Sequence, residues 1–121
     1  MRILLVDDDD AVRFMVGEAL IDSGFDVVRA ASGKEALLVL ALTLTSAPPI
    51  DALVTDIRMP EMNGWEVARR VRDILPELPV VYMTGYIEEL EPEVLGGVLL
   101  HKPCRVGVLI EAIQTVTNST V

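Results

Sequence analysis

Five short runs of apolar residues recur along the chain, and each is nearly continuous rather than alternating with polar residues. Strands with this pattern are buried on both faces, as in a parallel sheet that is covered by helices. The runs therefore predict five buried strands, at residues 3–6, 27–28, 52–54, 80–83 and 98–100.

Apolar residues at helical spacing lie between and after these runs and predict four helices. The four stripes are Val12, Met15, Val16 and Ala19; Ala36, Leu37, Leu40 and Leu44; Val67, Ala68, Val71 and Leu75; and Val106, Leu109, Ile110, Ile113 and Val116. Ser32, with Glu35 three residues later, is typical of a capping box at the start of the second helix. Gly24 fits the end of the first helix, and Asn63-Gly64 fits a turn before the third.

The order of these elements indicates the fold class. Strands that alternate with helices indicate an α/β fold with a parallel sheet. Residues 85–97 contain several acidic side chains and few core residues, so we expect only a short or irregular helix there. We find no linker and no internal repeat, and 121 residues suit one domain, so residues 1–121 are predicted to form a single domain.

Composition and charge exclude several classes of protein. Hydrophobic residues make up 51% of the chain and charged residues 24%, which excludes a disordered segment. The single cysteine excludes an intrachain disulfide and a cysteine-based zinc site. The net charge of −9 would repel nucleic acid and anionic membranes. We see no membrane-spanning run and no signal peptide, and we expect a cytoplasmic protein without nucleic-acid or membrane partners.

Polar side chains lie at or just beyond the ends of four of the five predicted strands. In an open parallel sheet, ligands bind beyond the carboxyl ends of the strands, at the point where the strand order reverses. The residues at that edge are Asp7 and Asp8 after the first strand, Asp56 after the third, Thr84 after the fourth and Lys102 after the fifth. Three converging carboxylates repel one another unless a cation joins them or one takes a proton. An oxygen-only site favours Mg²⁺, and an aspartate can attack phosphorus as a nucleophile.

At these motifs the chain resembles the receiver domain of two-component response regulators, of the single-domain or hybrid-kinase type. The resemblance covers residues 1–118. It rests on Val6-Asp7-Asp8-Asp9, on Thr55-Asp56-Ile57-Arg58-Met59-Pro60-Glu61-Met62-Asn63-Gly64, on Met83-Thr84-Gly85 and on Lys102-Pro103. It implies a flavodoxin-like, doubly wound sheet of five parallel strands in the order 2-1-3-4-5, with helices on both faces.

The resemblance also implies roles for the acidic residues. Asp56 would be the phosphoacceptor. Asp7 and Asp8 would help to bind Mg²⁺ together with Asp56, and Asp8 is the preferred direct ligand of the two. The backbone carbonyl of Arg58 would be a further ligand.

At the phosphoryl end of the site, the resemblance assigns phosphoryl contacts to Thr84 and Lys102 and a cis peptide bond before Pro103. One position departs from the family pattern. An aromatic residue that acts as a rotamer switch commonly lies three positions before the lysine, where this chain has Leu99. We therefore do not expect the usual coupling of Thr84 to a swinging ring at this position, although Tyr86 is an alternative source of such a ring.

The function implied by the resemblance is a phosphoryl-accepting switch in a two-component phosphorelay. The donor would be a sensor histidine kinase or a histidine phosphotransfer protein, and phosphorylation would alter a surface that binds a downstream protein not identified by the sequence. We expect no stand-alone turnover enzyme, only Mg²⁺-dependent phosphorylation and dephosphorylation of its own aspartate.

Three alternative functions were compared with this one. A degenerate receiver that serves as a structural adaptor stays open because of Leu99. A turnover phosphatase is disfavoured, since such enzymes have a second acid two positions after the nucleophile, where this chain has Arg58. An FMN-binding flavodoxin is excluded, because residues 7–10 are all aspartates and would repel the phosphate.

Several other polar or reactive residues receive structural roles. Asp9 and Asp10 are interpreted as the capped, acidic start of a helix. Trp65 is expected to pack in or beside the core, and Cys104 to pack at a helix start rather than act as a redox switch. His101 is expected to be a partly exposed strand residue.

Overall fold

The computed structural model describes residues 1–45, 48–85, 97–102 and 104–117. The strands are β1 (Arg2–Val6), β2 (Asp26–Ala30), β3 (Ala52–Asp56), β4 (Val80–Thr84) and β5 (Gly97–His101). All pair in parallel, in the order β2-β1-β3-β4-β5, which confirms the predicted topology. The expected short helix within 85–97 and the cis bond before Pro103 involve residues 86–96 and 103, which lie outside the described residues.

Helices cover both faces of the sheet. Within the described part of the chain they are α1 (Asp10–Asp22), α2 (Gly33–Thr43), α3 (Gly64–Ile74) and α4 (Val106–Thr117). Because side chains alternate along each strand, α2 and α3 pack on one face and α1 and α4 on the other. No described helix combines the length and the apolar character needed to cross a membrane.

Side-chain caps set the starts of three helices; the sequence predicts two of them as caps, Asp9 and Ser32, and predicts only a turn at Asn63. Asp9, Ser32 and Asn63 are the N-caps of α1, α2 and α3, and each accepts hydrogen bonds from backbone N–H groups of the first turn. Gly24 follows α1 with a φ of 96°, a left-handed conformation that glycine adopts without steric cost.

The predicted apolar stripes are wrong at three positions. Met15, Leu44 and Val106 are 67%, 50% and 38% exposed. In α1 the buried residues are Gly17 and Leu20, so the face that packs on the sheet is rotated relative to the predicted stripe. The error arises because apolar residues occur on more than one side of these helices, and spacing alone does not identify the inward side.

Candidate functional site

The strand register brings the predicted site residues to one edge of the sheet. Val6 of β1 is aligned with Thr55 of β3, so Asp7 and Asp56 follow at the same level. Thr84 ends β4, one residue beyond the partner of Asp56 on that strand. The edge is the carboxyl end of the two central strands, where the strand order reverses.

Three carboxylates converge at this edge, as predicted. One carboxylate oxygen from each of Asp7, Asp8 and Asp56 lies within 4.8 Å of the others. Asp7 and Asp56 are buried, with 2% and 8% exposure, whereas Asp8 is exposed. The cluster is therefore anchored in the fold on one side and open to solvent on the other. Such a set of hard oxygen atoms fits Mg²⁺, which keeps several waters and binds few carboxylates.

Lys102 bridges two of these carboxylates. Its Nζ lies 2.8 Å from Oδ2 of Asp7, to which it donates a hydrogen bond, and 3.3 Å from Oδ2 of Asp56. One ammonium thus faces three carboxylates, and the fully ionised cluster retains two uncompensated negative charges. Part-buried like charges interact more strongly than charges in water, so this surplus favours an added cation.

The electrostatics of Asp56 and Lys102 follow from this crowding. Burial raises the pKa of Asp56, and the charges of Asp7 and Asp8 raise it further, against the opposing effect of Lys102. Burial alone would lower the pKa of Lys102, but its hydrogen bond to Asp7 and the two neighbouring carboxylates outweigh burial and raise it. Lys102 is therefore held in its charged form beside Asp56.

Arg13 supports the acidic loop and was missed by the sequence analysis. Its Nη1 donates to the backbone carbonyl of Asp7 over 2.8 Å, and its Nη2 lies 2.6 Å from Asp10. The backbone N–H of Asp9 donates to Oδ1 of Asp7. These bonds fix the loop that carries Asp7 and Asp8. The available signal was the basic residue three positions after Asp10, which is a spacing that joins side chains on one helix face.

Gly64 allows the loop after Asp56 to fold back onto the strand. Its N–H donates to the carbonyl of Ile57 over 2.8 Å. A Cβ on Gly64 would overlap the backbone carbonyl of Asp56. The glycine at the end of the Asp56 motif therefore serves close packing, which starts α3 directly beneath the site.

The remaining predicted site residues occupy distinct positions. Thr84 is buried, and its carbonyl accepts the N–H of Lys102 over 2.6 Å, which joins the ends of β4 and β5. Leu99 is partly buried and aligned with Tyr82 of β4. Arg58 lies in the loop after β3 with an exposed side chain.

Three residues that were assigned structural roles agree with those predictions. Trp65 is buried, and its ring centroid lies 4.5 Å from that of Tyr82. Cys104 is half-buried, and burial raises the pKa of its thiol, which is the opposite of what a reactive thiol requires. His101 is exposed at the end of β5.

Comparison with known families identifies one match over most of the chain. The family model described as the response regulator receiver domain matches residues 3–114. The response regulator MprA of Mycobacterium avium is 44% identical over 85 residues, which is 70% of this chain and 35% of MprA. The receiver protein CpdR of Brucella abortus is 39% identical over 85 residues, which is 70% of this chain and 67% of CpdR.

Further similarities are to part of a sensor kinase and to solved structures that cover nearly all of the chain. The chain is 38% identical to part of the sensor kinase CckA of Brucella abortus, over 72% of this chain but only 9% of the kinase. It thus spans a minor part of both MprA and CckA. A response regulator receiver protein of Sinorhizobium medicae has a similar structure, with a TM-score of 0.83 and 33% identity over 100% of this chain and 97% of that one. The response regulator TrrA of Thermotoga maritima, solved in complex with Mg²⁺-BeF, has a TM-score of 0.82 and 26% sequence identity. The alignment covers 95% of this chain and 97% of TrrA.

Proposed function

The chain belongs to the receiver-domain family of two-component response regulators, and from this premise we propose that Asp56 accepts a phosphoryl group in a Mg²⁺-dependent reaction. The donor is a sensor histidine kinase or a histidine phosphotransfer protein. The observation that carries the proposal is the buried Asp56 carboxylate, held beside two further carboxylates and one lysine. A phosphorelay of this class operates in the cytoplasm, so we propose that location for the chain.

The transfer forms one bond and breaks one bond. A carboxylate oxygen of Asp56 attacks phosphorus, and the bond between phosphorus and the donor's imidazole nitrogen breaks, with its electron pair leaving on the imidazole. Lys102 stabilises the transferred group, because its Nζ already lies 3.3 Å from Oδ2 of Asp56. The hydroxyl of Thr84, at the end of the neighbouring strand, donates to a phosphoryl oxygen.

The acidic loop supplies the metal-binding part of the site. Asp8, Asp7, Asp56 and the backbone carbonyl of Arg58 would hold Mg²⁺, with Asp8 preferred over Asp7 as a direct ligand. When bound, Mg²⁺ neutralises charge on the phosphoryl oxygens and on the crowded carboxylates. The relationship to TrrA, whose structure contains Mg²⁺-BeF, supports this assignment.

We propose that the conformational switch after phosphorylation does not use the aromatic rotamer change that is common in the family. Leu99 has no polar tip to exchange between solvent and interior, so it cannot follow Thr84 by hydrogen bonding. Instead, the hydrogen bond from the backbone N–H of Lys102 to the backbone carbonyl of Thr84 links these two residues across the ends of β4 and β5. We propose that a movement of this pair changes the nearby surface and its affinity for a downstream protein.

The experiment is labelling with acetyl phosphate, followed by intact-mass measurement. The wild-type chain should gain one phosphoryl group with Mg²⁺ and none in EDTA, and Asp56→Asn should gain none. Asp73→Asn, which removes an exposed carboxylate of α3, is the matched control and should label normally.

Two results would contradict the proposal. Equal labelling of Asp56→Asn would exclude Asp56 as the acceptor. An unlabelled wild-type chain that still binds Mg²⁺ would favour the degenerate receiver, in which the fold serves as a constitutive adaptor. The chain is not proposed to turn over any substrate other than its own aspartyl phosphate.

A further inference from the structure

The outer face of α2 is an exposed apolar surface. Leu38 and Leu42, one helical turn apart, are 60% and 64% exposed. Ala41 and Thr45 are exposed beside them. The opposite side of the same helix is also apolar and packs into the core. A helix that is apolar on all sides is normally buried on all sides, so this outer face lacks the usual polar cover.

The charged side chains of α2 itself are few and lie at one end of the helix. The whole chain carries a net charge of −9, but α2 contains only Lys34 and Glu35 as charged residues, both in its first turn. Their charges cancel, and the last turn carries none. The centre of the outer face of α2 is thus an apolar area on a strongly acidic molecule, so two copies that meet there bring no charged side chains of α2 together at the centre of the contact, and only the repulsion between their overall charges opposes it.

We propose that the outer face of α2 binds the same face of a second copy of this chain, with the two α2 helices antiparallel. When the pair is centred midway between Leu38 and Leu42, Leu38 lies opposite Leu42 of the second copy. A two-fold axis at this point uses the same surface on both copies and closes the assembly as a dimer.

Charge selects the antiparallel arrangement. In it, the first turn with Lys34 and Glu35 faces the uncharged end of the other helix near Thr45, so no charged side chain of one α2 lies opposite a charged side chain of the other, and the two helix dipoles run in opposite directions. A parallel arrangement would place each charge beside its identical counterpart. The small side chain of Ala41 lets the helices approach closely at the contact.

This proposal predicts an unusual response to salt. The apolar contact draws the copies together, while the net charge of −9 on each copy opposes association. Added salt screens that repulsion, so the dimer should become stronger as sodium chloride rises. A dimer held by ion pairs would weaken under the same change.

The experiment is sedimentation velocity on the full chain, over a concentration series at low and high sodium chloride. We expect a reversible dimer that tightens with salt, and at least about tenfold weaker association in the double variant Leu38→Gln/Leu42→Gln. The matched control is Phe14→Gln/Met15→Gln, which removes two equally exposed apolar side chains from α1, on the other side of the sheet. The control should dimerise as the wild type does.

The readout separates this proposal from the phosphoryl chemistry. Both double variants should keep the wild-type urea midpoint and the labelling of Asp56, because the replaced side chains lie on exposed helix faces outside the site. A wild-type chain that is monomeric at high micromolar concentration in high salt would overturn the proposal. This holds even if the outer face of α2 binds a different protein. Equal weakening in both variants would also overturn it.

Discussion

The carboxyl edge of the sheet buries charge, whereas the outer face of α2 exposes apolar side chains. Asp7 and Asp56 are almost completely buried, while Leu38 and Leu42 are more than half exposed. Each arrangement reverses the usual distribution of residues in a soluble domain, and such reversals carry more information than buried leucines or surface acids.

The two regions differ in how far the folded chain itself compensates the unfavourable arrangement, which is buried charge in one and exposed apolar surface in the other. At the carboxyl edge, Lys102 compensates part of the negative charge, and the proposed Mg²⁺ would compensate the rest. At α2, Leu38 and Leu42 stay more than half exposed in the folded chain, so further burial of these side chains would need a contact from outside the protomer. The first region therefore indicates chemistry and the second indicates association.

Removal of Lys102 should have the largest effect on stability. Lys102→Met keeps the length of the side chain but leaves Asp7 and Asp56 without their shared cation. Breaking a buried ion pair costs about 3–5 kcal/mol, and the partial exposure of Lys102 reduces this to about 2–3 kcal/mol at pH 7. Urea denaturation measures the change. The loss should shrink in acid, because Asp56 then takes up a proton.

The other lysine of the chain provides the control for this comparison. Lys34→Met removes an exposed charge from α2, and its effect should stay within about 0.5 kcal/mol at a dilute, monomeric concentration. Equal losses in the two variants would show that the ion pairs at the sheet edge contribute no more than a surface charge.

The substitution Asp56→Asn should change the stability less than Lys102→Met does and in the opposite direction, and its effect should depend on pH. The pKa of Asp56 is raised in the folded chain above its ordinary value of 3.8. The native state therefore holds this proton more strongly than the unfolded state, so stability from Asp56 is present below 3.8 and is lost as pH rises through the raised pKa. Without Mg²⁺, Asp56→Asn should therefore be more stable than the wild type at pH 7, where the wild-type carboxylate is charged against its burial and its acidic neighbours.

Urea denaturation in EDTA between pH 3 and 7 checks the sign. The gain of Asp56→Asn over wild type should vanish toward pH 3, where the wild-type carboxyl is protonated, and Asp73→Asn should show no such gain. A variant that is less stable than wild type at pH 7 would mean that the attraction of Asp56 to Lys102 exceeds the repulsion from the neighbouring carboxylates.

The sequence predicts the site better than it predicts the surfaces of the helices. Asp7, Asp56 and Lys102 each follow a continuous apolar run, and a parallel sheet brings the ends of such runs to one edge whatever the packing details. The caps Asp9, Ser32 and Asn63 are equally local signals, because each acts on the turn that follows it.

Other features depend on how the elements pack. In α2, Leu38 and Leu40 are chemically alike, yet one is exposed and the other is buried, and only contact with the sheet distinguishes them. The role of Arg13 depends on the distance from its guanidinium to a backbone carbonyl, which no residue type encodes. The raised pKa of Asp56 likewise depends on burial and on neighbours that are distant in sequence.

The most direct test of the central claim, that three carboxylates form a cation site around Asp56, is the effect of Mg²⁺ on the free energy of unfolding. The free energy of unfolding of the wild type should rise with the Mg²⁺ concentration. The gain should reach about 2.7 kcal/mol when that concentration is 100 times the dissociation constant. Asp8→Asn and Asp56→Asn should need much more Mg²⁺ for any gain, whereas Asp73→Asn should follow the wild type. A wild type that does not respond to Mg²⁺, or four chains that respond equally, would contradict the account.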